Sequence, residues 1–188
     1  LDTLYHQRKI NNQQKLLLAE YNLLSKNAQK NNSLFQSFKP ADRDEEISVL
    51  KLNIMAAMQK NLYPEVLSLV KKINVYYNIS DTSVFEQMDE YMQATAQYTF
   101  YTAARTYALM KQNTKAMQYL KQAIQCGLLY KKLFEQDKAW TALRKNSSWK
   151  TLMNDYEAAM EGYITNTMGV SLGFKNPIAY RIPDEADY

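Results

Sequence analysis

Apolar residues recur along most of this chain at three- and four-residue spacing, the period of one face of an α-helix. Residues 3–29 predict one or two helices, with Leu17, Tyr21, Leu24 and Ala28 on a single apolar face. Asn11-Asn12 is expected to weaken the first turns. The polar run from Asn27 to Ser33 predicts a break, because asparagine competes with the helical backbone for hydrogen bonds. Leu34, Phe35 and Phe38 form a short apolar patch before Pro40, which restricts Lys39 and closes the N-terminal helices at residues 1–38.

The acidic stretch Asp42, Asp44, Glu45 and Glu46 marks a helix start, where negative charge opposes the positive end of the helix dipole. Ile47, Leu50, Ile54 and Ala57 continue at helical spacing and Lys60-Asn61 ends that helix. Tyr63-Pro64-Glu65 opens the next, with proline in the first turn, where its missing N–H costs nothing. Val66, Leu67, Val70 and Ile73 give it an apolar face. Residues 45–74 thus read as a first helical hairpin and Val75 to Asp81 as a connector, with Asp81 or Thr82 able to cap the next helix.

Residues 83–127 read as a second hairpin. Its first arm runs from Ser83 to Met110 without proline or glycine, a length that implies either one extended helix or a break, which would fall near Ala94–Ala96. Its second arm spans residues 114–126, capped by Thr114, buried through Ala116, Met117, Leu120, Ala123 and Ile124, and stopped by Gly127. Leu128 to Phe134 reads as an apolar link. Residues 137–161 read as closing helices, a short one from Asp137 to Leu143 and a last one capped by Ser147 or Ser148. Trp140, Leu143, Trp149 and Leu152 anchor that end. Residues 163–188, with Gly169, Gly173, Pro177 and Pro183, form an irregular tail or the start of a further segment.

Composition agrees with an all-α class. The 188 residues are 46% hydrophobic, enough for a sizeable core, and contain only 4 Gly and 4 Pro, fewer than the tight turns of an all-β fold require. The helical region, residues 1–162, reads as one domain.

From Gln97 to Leu128 the sequence resembles a tetratricopeptide repeat. Phe100, Ala104 and Tyr107 stand where that family has an aromatic, a small residue and a tyrosine in its first helix. Ala116, Leu120 and Ala123 match its second helix. Small residues there let the helices approach and large ones fill the grooves. Ala103 stands in place of a usual leucine, and Leu128 where proline is common. The first hairpin matches less well, since Asn53 and Ile54 do not fit the family's leucine–glycine pair. Val66 and Ala116 also lie further apart than the ~34-residue repeat. The run through Gly127, Asp137, Leu143-Arg144 and Trp149 is similar to the ending of many bacterial tetratricopeptide proteins, which implies a terminal cap. The resemblance implies a TPR-like α-α superhelix of antiparallel helical hairpins.

Chemistry is sparse. His6 is the single histidine and Cys126 the single cysteine, so an intrachain disulfide and a multi-cysteine zinc site are excluded. Cys126 ends an apolar run and reads as a buried thiol. No P-loop, dinucleotide glycine pattern, HExxH or EF-hand loop occurs. Adjacent acids such as Asp89-Glu90 and Asp184-Glu185 point about 100° apart on a helix and make no catalytic pair. No catalytic, metal-ligating or cofactor-binding residue is assigned. The net charge of +4 is mild, and Lys71-Lys72 and Lys131-Lys132 are isolated pairs, so no basic stripe for nucleic acid is present. No stretch reaches 18 apolar residues, which leaves no membrane-spanning helix.

The 15 tyrosines offer amphipathic contact area. The family resemblance implies that the first helix of each hairpin lines a concave groove, which places Tyr98, Tyr101 and Arg105 there, with Lys51, Met55 and Met58 from the first hairpin. Such a set suits an acidic or C-terminal peptide. The expected function is therefore a non-enzymatic scaffold that binds a protein or peptide. The alternative is an accessory helical domain of a larger exported bacterial enzyme or sensor. That alternative takes support from Leu1 at the start, from the irregular tail, and from a composition rich in Asn, Lys and Tyr, similar to that of extracytoplasmic bacterial proteins.

Overall fold

A computed structural model describes residues 11–25, 31, 34, 38–77 and 90–163. Every regular element among them is helical. The elements are α1 (Asn12–Leu24), α2 (Arg43–Gln59), α3 (Tyr63–Tyr77), α4 (Glu90–Leu109), α5 (Asn113–Gln125), α6 (Lys131–Gln136) and α7 (Ser147–Tyr163), with 3-10 turns at Lys138–Trp140 and Leu143–Lys145. Two compact units divide the chain, Leu1–Tyr77 and Asn78–Tyr188, and they part just after α3. The expected tail from 164 onward, the first residues of the chain and the start of the long arm at 83–89 lie outside the described residues.

In the first unit, Asn11 does not weaken α1 but starts it. Its side chain accepts from the Gln14 N–H at 2.9 Å, and the Gln14 side chain accepts from the Asn11 N–H at 3.1 Å. This reciprocal capping box satisfies two donors that helix geometry leaves over. Asn12 Nδ2 then donates to the Lys39 carbonyl and to Glu45 Oε2, at 2.8 and 2.7 Å, and so ties the start of α1 to the start of α2. Asp42 caps α2 by accepting from the Glu45 N–H at 2.9 Å.

The apolar face expected on α1 is corrected. Leu17, Tyr21 and Leu24 are 57, 58 and 69% exposed, while Leu18, Ala19, Asn22 and Leu23 are buried. Leu16-Leu17-Leu18-Ala19 is apolar all round the helix, so spacing alone leaves two adjacent stripes open. The stripe with Asn22 is the one that packs, because its amide is satisfied. Asn22 Nδ2 donates to Asn31 Oδ1, and Asn31 Nδ2 donates to the Ala19 carbonyl, each at 2.9 Å. A buried amide so bonded no longer opposes burial. Leu18, Ala19, Leu23, Leu34 and Leu52 form the resulting cluster.

Helices α2 and α3 form the first hairpin, with Ile47, Leu52, Ile54, Ala57, Val66, Leu69, Val70 and Ile73 buried. Helix α3 continues to Tyr77, past Val75 where the connector is expected to begin, and the remainder of that connector, residues 78–81, lies outside the described residues.

In the second unit, α4 runs unbroken through Ala94–Ala96, so of the two alternatives for this arm the extended helix holds from Glu90 to Leu109. Its buried threonines satisfy their hydroxyls within the helix. Thr99 Oγ1 donates to the Ala96 carbonyl at 3.0 Å and Thr106 Oγ1 to the Thr102 carbonyl at 2.7 Å. Helix α5 folds back on α4, and Phe100, Ala104, Ala116, Leu120 and Ala123 are all buried. Tyr107 stacks on Tyr119 with centroids 5.3 Å apart. Thr114 is not the cap of α5. The helix begins at Asn113, behind Gln112, which makes no side-chain capping bond.

Helices α2, α4 and α5 end in the same way. Asn61, Lys111 and Gly127 have φ of 57°, 60° and 83°. The next residue in each case returns its N–H to the helix, Leu62 to Ala57, Gln112 to Tyr107 and Leu128 to Ala123, at 2.9, 2.9 and 3.0 Å. This is the Schellman arrangement, and its left-handed residue is cheapest as glycine. Lys111→Gly should stabilise the fold by about 0.5–1 kcal/mol, read by urea unfolding, and Asn61→Gly should gain less, because asparagine tolerates this region and its Oδ1 accepts from Tyr63 Oη at 3.0 Å. Gly127→Ala should destabilise it by ~1 kcal/mol, since its Cβ would also lie 3.3 Å from Gln97 Nε2. A stabilising Gly127→Ala would contradict the turn.

The apolar link after Gly127 is shorter than expected, because α6 takes up Phe134. The single short helix expected from Asp137 to Leu143 is instead the two 3-10 turns. Phe134, Trp140, Leu143, Trp149, Leu152 and Tyr156 join Ala104, Ala116, Leu120 and Ile124 in one cluster, so the C-terminal segment packs on the second hairpin.

Candidate functional site

Tyr98, Tyr101 and Arg105 are three and four residues apart on α4 and share a face. That face meets the segment after α6. Tyr101 Oη donates to Asp137 Oδ2 at 2.9 Å, and Arg105 Nε donates to the same oxygen at 2.6 Å. The second carboxylate oxygen, Oδ1, accepts from the Ala139 N–H at 2.9 Å and caps the 3-10 turn. The Tyr101 ring stands edge-on to Trp140, with centroids 5.7 Å apart. Trp140 in turn donates Nε1–H to the Leu133 carbonyl at 2.9 Å.

Arg144 fastens the same segment from the other side. Its Nε and Nη2 donate to the Phe134 carbonyl at 3.1 and 2.9 Å, and Nη2 also donates to the Asp137 carbonyl at 2.9 Å. Asp137 is therefore held by its side chain to α4 and by its backbone to Arg144.

The electrostatics reflect these contacts. Burial opposes a charge on Asp137, but hydrogen bonds from Ala139, Tyr101 and Arg105 and the guanidinium charge outweigh it and hold the carboxyl below its ordinary value. Burial and the neighbouring Asp137 charge push Tyr101 up. Burial pushes Tyr98 up to about 12, against a hydrogen bond with Thr102. Burial likewise pushes the Cys126 thiol up to about 11, which makes it a poor nucleophile and fits the buried thiol read from sequence.

A depressed carboxyl stabilises the fold above its unfolded pKa of about 3.9, and that contribution is lost as pH falls through the folded value. Asp137→Asn should flatten the stability loss between about pH 4 and pH 2, followed by tryptophan fluorescence in urea at each pH. An unchanged acid limb would mean that the carboxylate is not held by Arg105 and Tyr101.

The other expected groove residues lie in the first unit, on α2. Lys51 is partly buried and burial lowers its pKa, against the charge of Asp44. Met55 packs on the Leu18–Leu23–Leu52 cluster. Met58 is partly buried. The structure thus brings together Tyr101 and Arg105, and the residue that joins them, Asp137, is absent from the sequence-based set. Its place at the mouth of a turn, two residues before Ala139, is a capping signal that sequence can offer. Its partners on α4, 32 and 36 residues back, give no such signal.

A cleft of about 350 Å³ opens between α6 and α7, lined among others by Phe134, Arg144, Trp149 and Met153. Phe134 and Trp149 are themselves buried, so they close this cleft more than they offer surface to it. Among the described residues, no group of three or more His, Cys, Asp or Glu could hold a metal ion, and no helix is long and apolar enough to cross a membrane. No protein-family model matches the chain, and neither the curated proteins nor the solved structures give a match.

Proposed function

We propose that this chain is a non-enzymatic, tetratricopeptide-like scaffold that binds an acidic or C-terminal peptide through the α4 face of its second hairpin. The observation that carries this reading is the α4–α5 hairpin itself. Phe100, Ala104, Ala116, Leu120 and Ala123 stand at the repeat positions and are buried, which leaves Tyr98, Tyr101 and Arg105 on a different face of α4. Stacked hairpins of this kind present extended surfaces for partners. The Arg105 side chain keeps 36% exposure, enough to meet a ligand. The composition favours an extracytoplasmic bacterial setting for such a scaffold.

A random-peptide display selection tests the reading. The chain should enrich peptides with an acidic motif or an apolar residue next to a free C-terminus. Arg105→Gln and Tyr98→Ala should each weaken the enriched peptides about tenfold or more, as for anchor residues of an interface. Failure to enrich any motif above an unrelated helical bundle would sink the proposal.

A further inference from the structure

The polar groups on the α4 face that meets the segment after α6 are already engaged. Tyr101 Oη and Arg105 Nε both donate to one oxygen of Asp137, so an acid of the chain itself stands where the acid of a ligand would stand. We propose that Asp137 is an internal ligand that closes the α4 site until an external carboxylate displaces it. This rests on the scaffold reading above and adds its regulation.

Three features fit an exchange. First, the engagement is partial. Arg105 uses Nε alone, and its two terminal nitrogens bond no described residue. An arriving carboxylate can therefore take the terminal edge of the guanidinium before Asp137 leaves, since that edge accepts a carboxylate with two parallel bonds. Second, access is asymmetric. Arg105 is 36% exposed and Asp137 15%, so solvent and ligand reach the arginine first. Third, letting go does not dismantle the segment. The Asp137 and Phe134 carbonyls stay on Arg144, and Trp140 stays on the Leu133 carbonyl. The side chain can swing away while its backbone remains anchored. Because Trp140 lies edge-on to Tyr101, the exchange changes the surroundings of a fluorophore.

Opening gives up three hydrogen bonds to the Asp137 carboxylate, from Tyr101, Arg105 and the Ala139 N–H, so the internal acid lowers external affinity by about tenfold or more. The test uses acetate and three hexapeptides as probes. These are hexaglycine with a free C-terminus, its C-terminal amide, and an acetylated, amidated peptide with one internal glutamate. Tryptophan emission and the Arg105 Nε–H resonance of the full chain report binding. Asp137→Asn keeps an acceptor for the Ala139 N–H and should bind acetate about tenfold or more tighter than the wild type. Adding Arg105→Gln should remove the gain. Asp137→Ser, which also retains a capping oxygen, is the second variant and should behave alike.

Tighter binding of free hexaglycine than of its amide identifies a terminal carboxylate as the ligand, and preference for the glutamate peptide identifies a side chain. Either one supports displacement. Equal or weaker carboxylate binding by both Asp137 variants would overturn it, because Asp137 would then be a brace that positions Arg105. Absence of carboxylate binding to every variant would overturn it too. Display peptides that bind the wild type and are indifferent to Asp137→Asn would defeat the latch and spare the scaffold. A failed selection alongside tighter acetate binding would do the reverse.

Discussion

Trp140→Ala is expected to destabilise the second unit by about 3–5 kcal/mol, the range for emptying a fully buried tryptophan site. Trp140 has no exposed surface. It stands edge-on to Tyr101, lies 6.0 Å from Trp149 between ring centroids, and donates its indole N–H to the Leu133 carbonyl. Removing it opens a cavity between α4, the 3-10 turn and α7 and leaves a carbonyl without its donor, two costs that add. The turn around Asp137 is too short to collapse into the space, because Arg144 pins it on the far side. Trp149 remains as the fluorescent reporter for urea unfolding. Trp140→Phe keeps a ring but loses the donor and should cost about 1–2 kcal/mol. A loss below ~1 kcal/mol for the alanine variant would mean that the C-terminal segment does not pack on the hairpin as described.

Neighbouring leucines in α1 should behave in opposite ways. Leu23→Ala should cost about 2–5 kcal/mol and Leu24→Ala less than ~0.5 kcal/mol. Leu23 has no exposed surface and packs with Leu18, Leu34 and Leu52, whereas Leu24 is 69% exposed. Hydrogen exchange of the α1 amides reads both variants directly, since local opening of a helix is governed by its own packing. Equal effects, or a larger one at Leu24, would restore the face that spacing alone suggested. Gln59 Nε2 donates to the Leu23 backbone carbonyl at 2.8 Å, a bond that Leu23→Ala retains, so its effect reads the loss of side-chain packing.

The helical class, the two hairpins and the C-terminal anchor residues were legible because each is encoded nearby. The acidic start at Asp42, the Pro64 opening, the Lys60-Asn61 ending and the Gly127 stop are local signals, and the helices begin or end there. Trp140, Leu143, Trp149 and Leu152 are in the core as expected. Structure and sequence part where two local signals compete. Asn11 breaks helices in their interior yet starts them at the cap, and Gln14 decides between these roles. Thr114 is a good capping residue that stands inside the helix, because the left-handed turn at Lys111 puts the cap position two residues earlier, at Gln112.

The candidate site divides along the same line. Tyr98, Tyr101 and Arg105 share a face by helical geometry, which needs only their spacing. That Tyr101 and Arg105 are spent on Asp137 depends on a contact across more than 30 residues, and residue types in isolation do not specify it.

Backbone propensity, caps and periodicity act within a turn or two of the chain, so the order of residues alone settles which segments are helical and where most of them end. The buried stripe of α1 and the contacts of the polar face of α4 were settled by packing between distant segments. Burial of Asn22 is tolerable only when Asn31 meets it, and Arg105 is a bound group only when Asp137 reaches it. Both depend on a partner brought from elsewhere in the chain, which costs loop-closure entropy that packing must offset.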